Sequence, residues 1–185
     1  MMKKTLLTIL MAATTAGASA QRLAVNTDMA MDLLMTPSLG VEMTVGERST
    51  LGLNLLGNHK PWGQTMKMFG VQPEYRYYFS GRPMHSLFAG IGGVAAFYDI
   101  TRKGKVYDGI AYGGGITFGY VFKLAHRVNI DCHAGFAVVG YNRKEYYVGD
   151  NYNTDYIVEG VNKTNAHGYY LMPSRIGVSV TYILK

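Results

Sequence analysis

The chain has 185 residues, with 18 Lys plus Arg against 12 Asp plus Glu, one cysteine and a mean hydropathy near zero. A lone cysteine excludes an internal disulfide framework, no run of about eighteen apolar residues offers a transmembrane helix, and the basic excess comes without a nucleic-acid recognition module. Neutral average hydropathy leaves membrane-spanning strands open, because alternating strands average to an ordinary value.

Lys3 and Lys4, the apolar stretch Leu6 to Ala13, and Ala18-Ser19-Ala20 read as a cleavable signal peptide over residues 1–20. The mature chain is expected to begin at Gln21, to be exported, and to form one domain over residues 21–185. Eight segments then show period-two alternation between turn signals: Leu23 to Leu33, Ser38 to Gly46, Thr50 to Leu56, Lys67 to Phe79, Ser86 to Tyr98, Ile110 to Phe122, Val128 to Tyr141, and Tyr169 to Leu184.

The first segment sets Leu23, Val25, Met29, Met31 and Leu33 against Arg22, Asn26, Asp28 and Asp32. In the fourth, Phe69, Val71, Tyr75, Tyr77 and Phe79 oppose Gln72, Glu74, Arg76 and Tyr78. The fifth is apolar on both sides, which leaves its facing open. The sixth is the clearest: Ile110, Tyr112, Ile116, Phe118, Tyr120 and Phe122 on one face, small residues on the other. The seventh sets Ile130, Cys132, Phe136 and Val138 against Asn129, Asp131 and His133; the eighth sets Ile176, Val178, Val180 and Tyr182 against Arg175, Ser179 and Thr181.

Connections on one side are short and polar, such as Gly46 to Ser49, Ser80 to His85 and Lys123 to Arg127. Those on the other include Asn58 to Met66, Asp99 to Gly109 and Asn142 to Gly168. Short turns opposite long loops suit an eight-stranded antiparallel up-and-down transmembrane β-barrel, with both termini periplasmic. Aromatic residues group at two levels. Tyr75, Tyr77, Phe79, Tyr120, Phe122 and Tyr182 fall at the turn side, and Phe69, Phe97, Tyr98, Tyr112, Tyr141 and Tyr169 at the loop side, as two interfacial girdles would.

The run Gln72-Pro73-Glu74-Tyr75-Arg76-Tyr77-Tyr78-Phe79, after Thr36-Pro37-Ser38-Leu39-Gly40-Val41-Glu42 and before a glycine-rich strand, resembles the Bacteroidetes domain-of-unknown-function family 3575. The resemblance covers the mature chain. It implies a small outer-membrane β-barrel and brings no activity or catalytic residues with it. Outer-membrane chains usually end on an aromatic residue as a signal to the assembly machinery, an expected partner here, whereas Tyr182 is followed by Ile183, Leu184 and Lys185.

The acids and arginines on the polar faces are the first candidate site. Asp28, Glu42, Glu74, Asp131, Arg76 and Arg175 should form an interior salt-bridge network, because the bore of eight strands is filled by side chains. A hairpin turning near Met35 would put Asp28 and Glu42 level, with Arg175 and Arg76 as their counterions. Lys60, Lys67, Arg102, Lys103 and Lys105, near His59, lie where lipopolysaccharide phosphates would sit; a solvated face accounts for them equally. Tyr146, Tyr147, Tyr152 and Tyr156 among Asn and Asp suit protein or glycan contact, or simply an ordinary loop.

His59, His85, His126, His133 and His167 complete no compelling Ser-His-acid arrangement, and His133 reads as an interior hydrogen-bonding group beside Asp131. Scattered acids and histidines make no metal site, and the glycine clusters lack the strand-turn-helix setting of a nucleotide site. The expectation is a non-enzymatic outer-membrane protein, without cofactor, with a structural or surface-interaction role in contact with membrane lipid. A narrow channel for small hydrophobic or ionic solutes and a soluble periplasmic ligand-binding barrel are the alternatives.

Overall fold

A computed structural model describes residues 22–157, 160 and 163–184; the expected signal peptide lies outside them. Eight strands run in chain order: β1 Leu23–Asp28, β2 Ser38–Thr44, β3 Ser49–His59, β4 Met66–Tyr78, β5 Ser86–Arg102, β6 Lys105–Lys123, β7 Val128–Tyr147 and β8 Ala166–Ile183. Each pairs antiparallel with the next, and β1 pairs with β8, so one sheet closes into a ring without a free edge. Closure gives the first and last strands a partner, so no strand presents a whole unpaired edge.

The alternation in sequence decides which side of the sheet each residue faces. Along β6, Ile110, Tyr112, Ile116, Phe118, Tyr120 and Phe122 are exposed, whereas Thr117 and Val121 between them are buried. The fifth strand, ambiguous by composition, takes one facing: Phe88 is fully buried and Leu87, Ile91 and Phe97 point outward. Register aligns the outward residues in rows around the ring. Tyr75, Ile91, Ile116 and Phe136 form one, and Phe69, Phe97, Ile110 and Asn142 another.

β7 and β8 run into the expected connection Asn142 to Gly168, which then spans 148–165, and two further expected elements change. The first strand stops at Asp28, whose carboxylate accepts from the N–H groups of Ala30 and Met31 and so caps a short helix, Met29–Leu33. Met, Ala and Leu are good helix formers, and an aspartate ahead of them supplies the cap. Met29, Met31 and Leu33 therefore do not continue the outer face of β1. The expected loop Asp99 to Gly109 is a continuation of β5 and β6 to a two-residue turn, Lys103-Gly104, with φ of 51° and 76°. Positive φ at both central residues matches the twist of the flanking strands, and Gly104 adopts it without strain.

The tall ends of β5, β6 and β7 reach well past the row of Phe97 and Ile110. Tyr98 and Tyr141, expected in the outer girdle, face inward at this mouth, where Tyr141 stacks on Tyr170 with ring centroids 4.9 Å apart. At the opposite end the turn between β4 and β5 folds inward. Met84 is 3% exposed, and Asn129 Nδ2 donates to its carbonyl at 2.9 Å.

Candidate functional site

The interior of the ring is an ionic tier between two apolar ones. Tyr78, Phe88 and Val121 cluster toward the turn end, and Leu56, Ala137 and Val139 are buried toward the mouth. Between them lie Asp28, Glu42, Glu74, Arg76, Asp131 and Arg175, all buried. The six expected interior residues thus share one enclosed space.

Arg76 is the hub. Its Nε lies 2.8 Å from Glu74 Oε2, and its Nη1 lies 2.6 Å from Asp131 Oδ2 and 3.5 Å from Glu42 Oε2, which ties β2, β4 and β7 together across the bore. The guanidinium also sits 4.4 Å from the centre of the Phe88 ring. A planar, permanently charged fork with five donors can hold three carboxylates at once; an ammonium could not reproduce that geometry. Phe88 fits because β6 carries Gly119 beside it, where a Cβ would lie 2.6 Å from the ring.

Arg175 pairs with Glu74 and not with Asp28 or Glu42. With its side-chain oxygen turned inward, Asn54 accepts from both terminal nitrogens of Arg175, at 3.1 and 3.2 Å, and donates to Asn26 Oδ1 at 2.9 Å. A bulge in β8 opposite Gly135 and Phe136 leaves Ser174 without a ladder partner, and its carbonyl accepts from Gln72 Nε2 at 3.1 Å across the bore.

Asp28 and Glu42 are not level. Glu42 lies opposite Ala24, while Asp28 lies opposite Ser179 on β8. The helix after Asp28 lengthens the first connection and shifts the register away from a simple turn at Met35. Each acid consequently has its own partners. Glu42 Oε1 accepts from Thr50 Oγ1 at 2.5 Å and from Tyr78 OH at 2.8 Å, and Asp28 Oδ2 lies 3.1 Å from His133 Nε2.

His133 bridges two carboxylates, with its Nδ1 3.5 Å from Asp131 Oδ1 but without a hydrogen bond there. His133, Tyr78, Thr50, Phe88 and Asn54 all contribute to the tier without having been named in its expected ion-pair set. A buried tyrosine or threonine on the charged face was the available signal, since a buried hydroxyl needs a partner. Glu74 Oε1 and Ser179 Oγ have no partner among the described residues. A cavity of about 20 Å³ lies beside Gln72, Glu74, Thr117 and Arg175, room for a single water.

Ser179 is fully buried, and among the described residues no cluster of three His, Cys, Asp or Glu has metal-binding spacing. The contacts of the tier neutralise its charges across the ring.

The expected outer cations separate into different places. Lys67 lies on the outer face of β4, two residues beyond Phe69 and opposite His59 and Asp99. Lys60 begins the β3–β4 connection in a left-handed conformation. Arg102 and Lys103 sit at the hairpin tip, with Arg102 roughly 17 Å further along β5 than Phe97 at about 3.3 Å per residue. Lys105 is committed to Glu145, with Nζ 2.5 Å from Oε2. The structure does not gather these five into one basic patch, because the hairpin carries Arg102, Lys103 and Lys105 well above the level of Lys67.

The tyrosines of the last connection mostly serve that connection. Tyr152 is 6% exposed, stacked on Tyr156 and beside Tyr146, while Lys144 lies 5.0 Å from the Tyr152 ring. Tyr156 OH donates to Asp150 Oδ2 at 2.8 Å, and this bond to a carboxylate holds the phenol above its ordinary pKa. Tyr147 and Val148 remain exposed.

Comparison with curated proteins and with solved structures returned no match. A family model described as a protein of unknown function, DUF3575, matches residues 5–184. With eight antiparallel strands in one ring-like sheet and a match over nearly its whole length, the chain belongs to the DUF3575 family.

Proposed function

We propose that this protein is a transmembrane β-barrel of an outer membrane, closed to solute flow, with a structural or surface-interaction role and no catalytic activity. The observation that carries the reading is the inverted distribution of polarity. Ionic side chains fill the interior, while Phe69, Tyr75, Ile91, Ile116, Phe118 and Phe136 lie exposed on the outside. In water such a surface would be an unusually large apolar patch; against lipid it is the expected outer face of a barrel.

Outward residues also change character at one register level. Beyond the row of Phe69, Phe97 and Ile110 comes the row of His59, Lys67, Asp99, Asp108 and Lys144. A switch from apolar to charged at one height supports a membrane boundary there. The short turns then lie on the periplasmic side with both strand termini, and the tall ends of β5, β6 and β7 rise outside the cell. The hub at Arg76 and the inward turn at Met84 support a sealed bore.

Fractionation combined with surface labelling tests this reading. In a Cys132→Ser background, Lys103→Cys should react with an impermeant maleimide on intact cells, while Arg82→Cys should react only after the outer membrane is opened. A soluble periplasmic product, or labelling of Arg82→Cys on intact cells, would overturn it.

A further inference from the structure

We infer that the outer face carries a seat for one lipid with a phosphoethanolamine headgroup, in a groove along the boundary just described; the inference rests on the membrane reading. The groove has a volume of about 670 Å³ and opens outward. One wall is the apolar row Phe69, Phe97 and Ile110, and the other is the charged row above it. The floor between the rows runs along the intervening residues Asn58, Met68, Tyr98 and Gly109.

The order of charges decides the occupant. Along the upper wall Lys67 precedes Asp99 on the next strand, then Asp108, then Lys144. No ion pair among the described residues joins any of these four to another. A simple anion would meet two carboxylates, and a simple cation two amines.

A zwitterion fits the sequence of signs. Adjacent strands are spaced about 4.8 Å apart, and an ethanolamine linker holds its phosphate and ammonium at a comparable separation. The phosphate faces Lys67 and His59, and the primary ammonium donates to Asp99 and Asp108. Below the apolar wall the outward positions Val71, Ala95 and Tyr112 continue the belt, with Ala95 leaving a shallow track for an acyl chain. The charged wall thus recognises the headgroup, and the apolar wall is continuous with the lipid-facing surface.

Native mass spectrometry of the full chain in detergent micelles, with phosphatidylethanolamine, phosphatidylcholine or phosphatidylglycerol added, tests the seat. Phosphatidylethanolamine should be retained roughly threefold better than either of the others, the scale of one exposed charge pair. The double variant Asp99→Asn/Asp108→Asn should transfer the preference to phosphatidylglycerol, and Lys67→Ala should weaken retention of both. Equal retention of all three lipids, or an unchanged preference in the double variant, overturns the seat while leaving the membrane reading standing. A chain that stays folded in buffer without detergent and retains no lipid overturns both.

Discussion

Arg76 Nη1 and Asp131 Oδ2 meet at 2.6 Å across the bore, joining strands that are not neighbours in the ring. Both residues are almost fully buried, so the pair is shielded from solvent and depends on its full set of partners. Taking one member away leaves the others as uncompensated buried charge, which is the costly event; the pair itself adds little over an apolar replacement of the whole set.

Arg76→Ala should therefore be the most damaging single change in the interior. It strips Glu42, Glu74 and Asp131 of their shared counterion, and breaking a buried pair typically costs about 3 to 5 kcal/mol. Urea unfolding in micelles, followed by the gel shift between folded and heated protein, measures the loss.

Arg175→Ala should cost less than Arg76→Ala. It leaves Glu74 still paired with Arg76, and Asn54 keeps Asn26 as a partner. The same unfolding midpoint, measured for both variants, should rank wild type above Arg175→Ala and Arg175→Ala above Arg76→Ala.

Gly177→Ala tests the packing around Asp28. A Cβ at Gly177 would sit 2.4 and 2.6 Å from the two carboxylate oxygens of Asp28, which are already held by the helix cap and His133. Overpacking of this kind costs about 1 to 3 kcal/mol. Gly114→Ala on β6 is the control: its Cβ would meet only Gly92 O at 3.4 Å, and its unfolding midpoint should stay close to wild type.

Arginine placed on the outer face should report depth. Ile116 lies in the middle of the apolar face of β6, and Asp108 lies on the charged row above it. Ile116→Arg should destabilise the protein folded in vesicles by about 2 to 4 kcal/mol, and Asp108→Arg by about 1 kcal/mol or less. Equal costs at the two positions would count against a hydrocarbon layer that holds Ile116 and ends below Asp108.

Period two sufficed for most strands because one face is apolar and the other crowded, so a slip by one residue would turn the whole set inside out. It misled at Met29–Leu33, where apolar residues at alternate positions imitate a strand, although Asp28 before a run of helix formers was a legible cap. It faded at Asp99 and Asp108, where the tall ends of β5 and β6 carry charged residues on both faces, Asp99 and Asp108 outward and Arg102 and Lys105 inward.

The membership of the ionic tier could be read from which residues share the polar face. Its wiring could not. Pairing Arg76 with Asp131, or Arg175 with Glu74, depends on register accumulated over several strands, and one unforeseen helix in the first connection moved Asp28 away from Glu42. Even the small face of β6 has more than one origin: Gly119 makes room for Phe88, whereas a Cβ at Gly115 would meet the backbone of β7 at Phe136 O, 2.0 Å away.

A sealed barrel embedded in a membrane has an outer surface that faces lipid and an inner one that is packed. Spin labels at Ile116→Cys, Thr117→Cys and Asp108→Cys in a Cys132→Ser background, with the protein folded in vesicles, read this directly through collisions with oxygen and with a water-soluble nickel complex. Ile116→Cys should collide with oxygen and be shielded from nickel, Asp108→Cys should collide with nickel, and Thr117→Cys should be shielded from both. Free access of nickel to Ile116→Cys, or to Thr117→Cys, would contradict a sealed barrel embedded in a membrane.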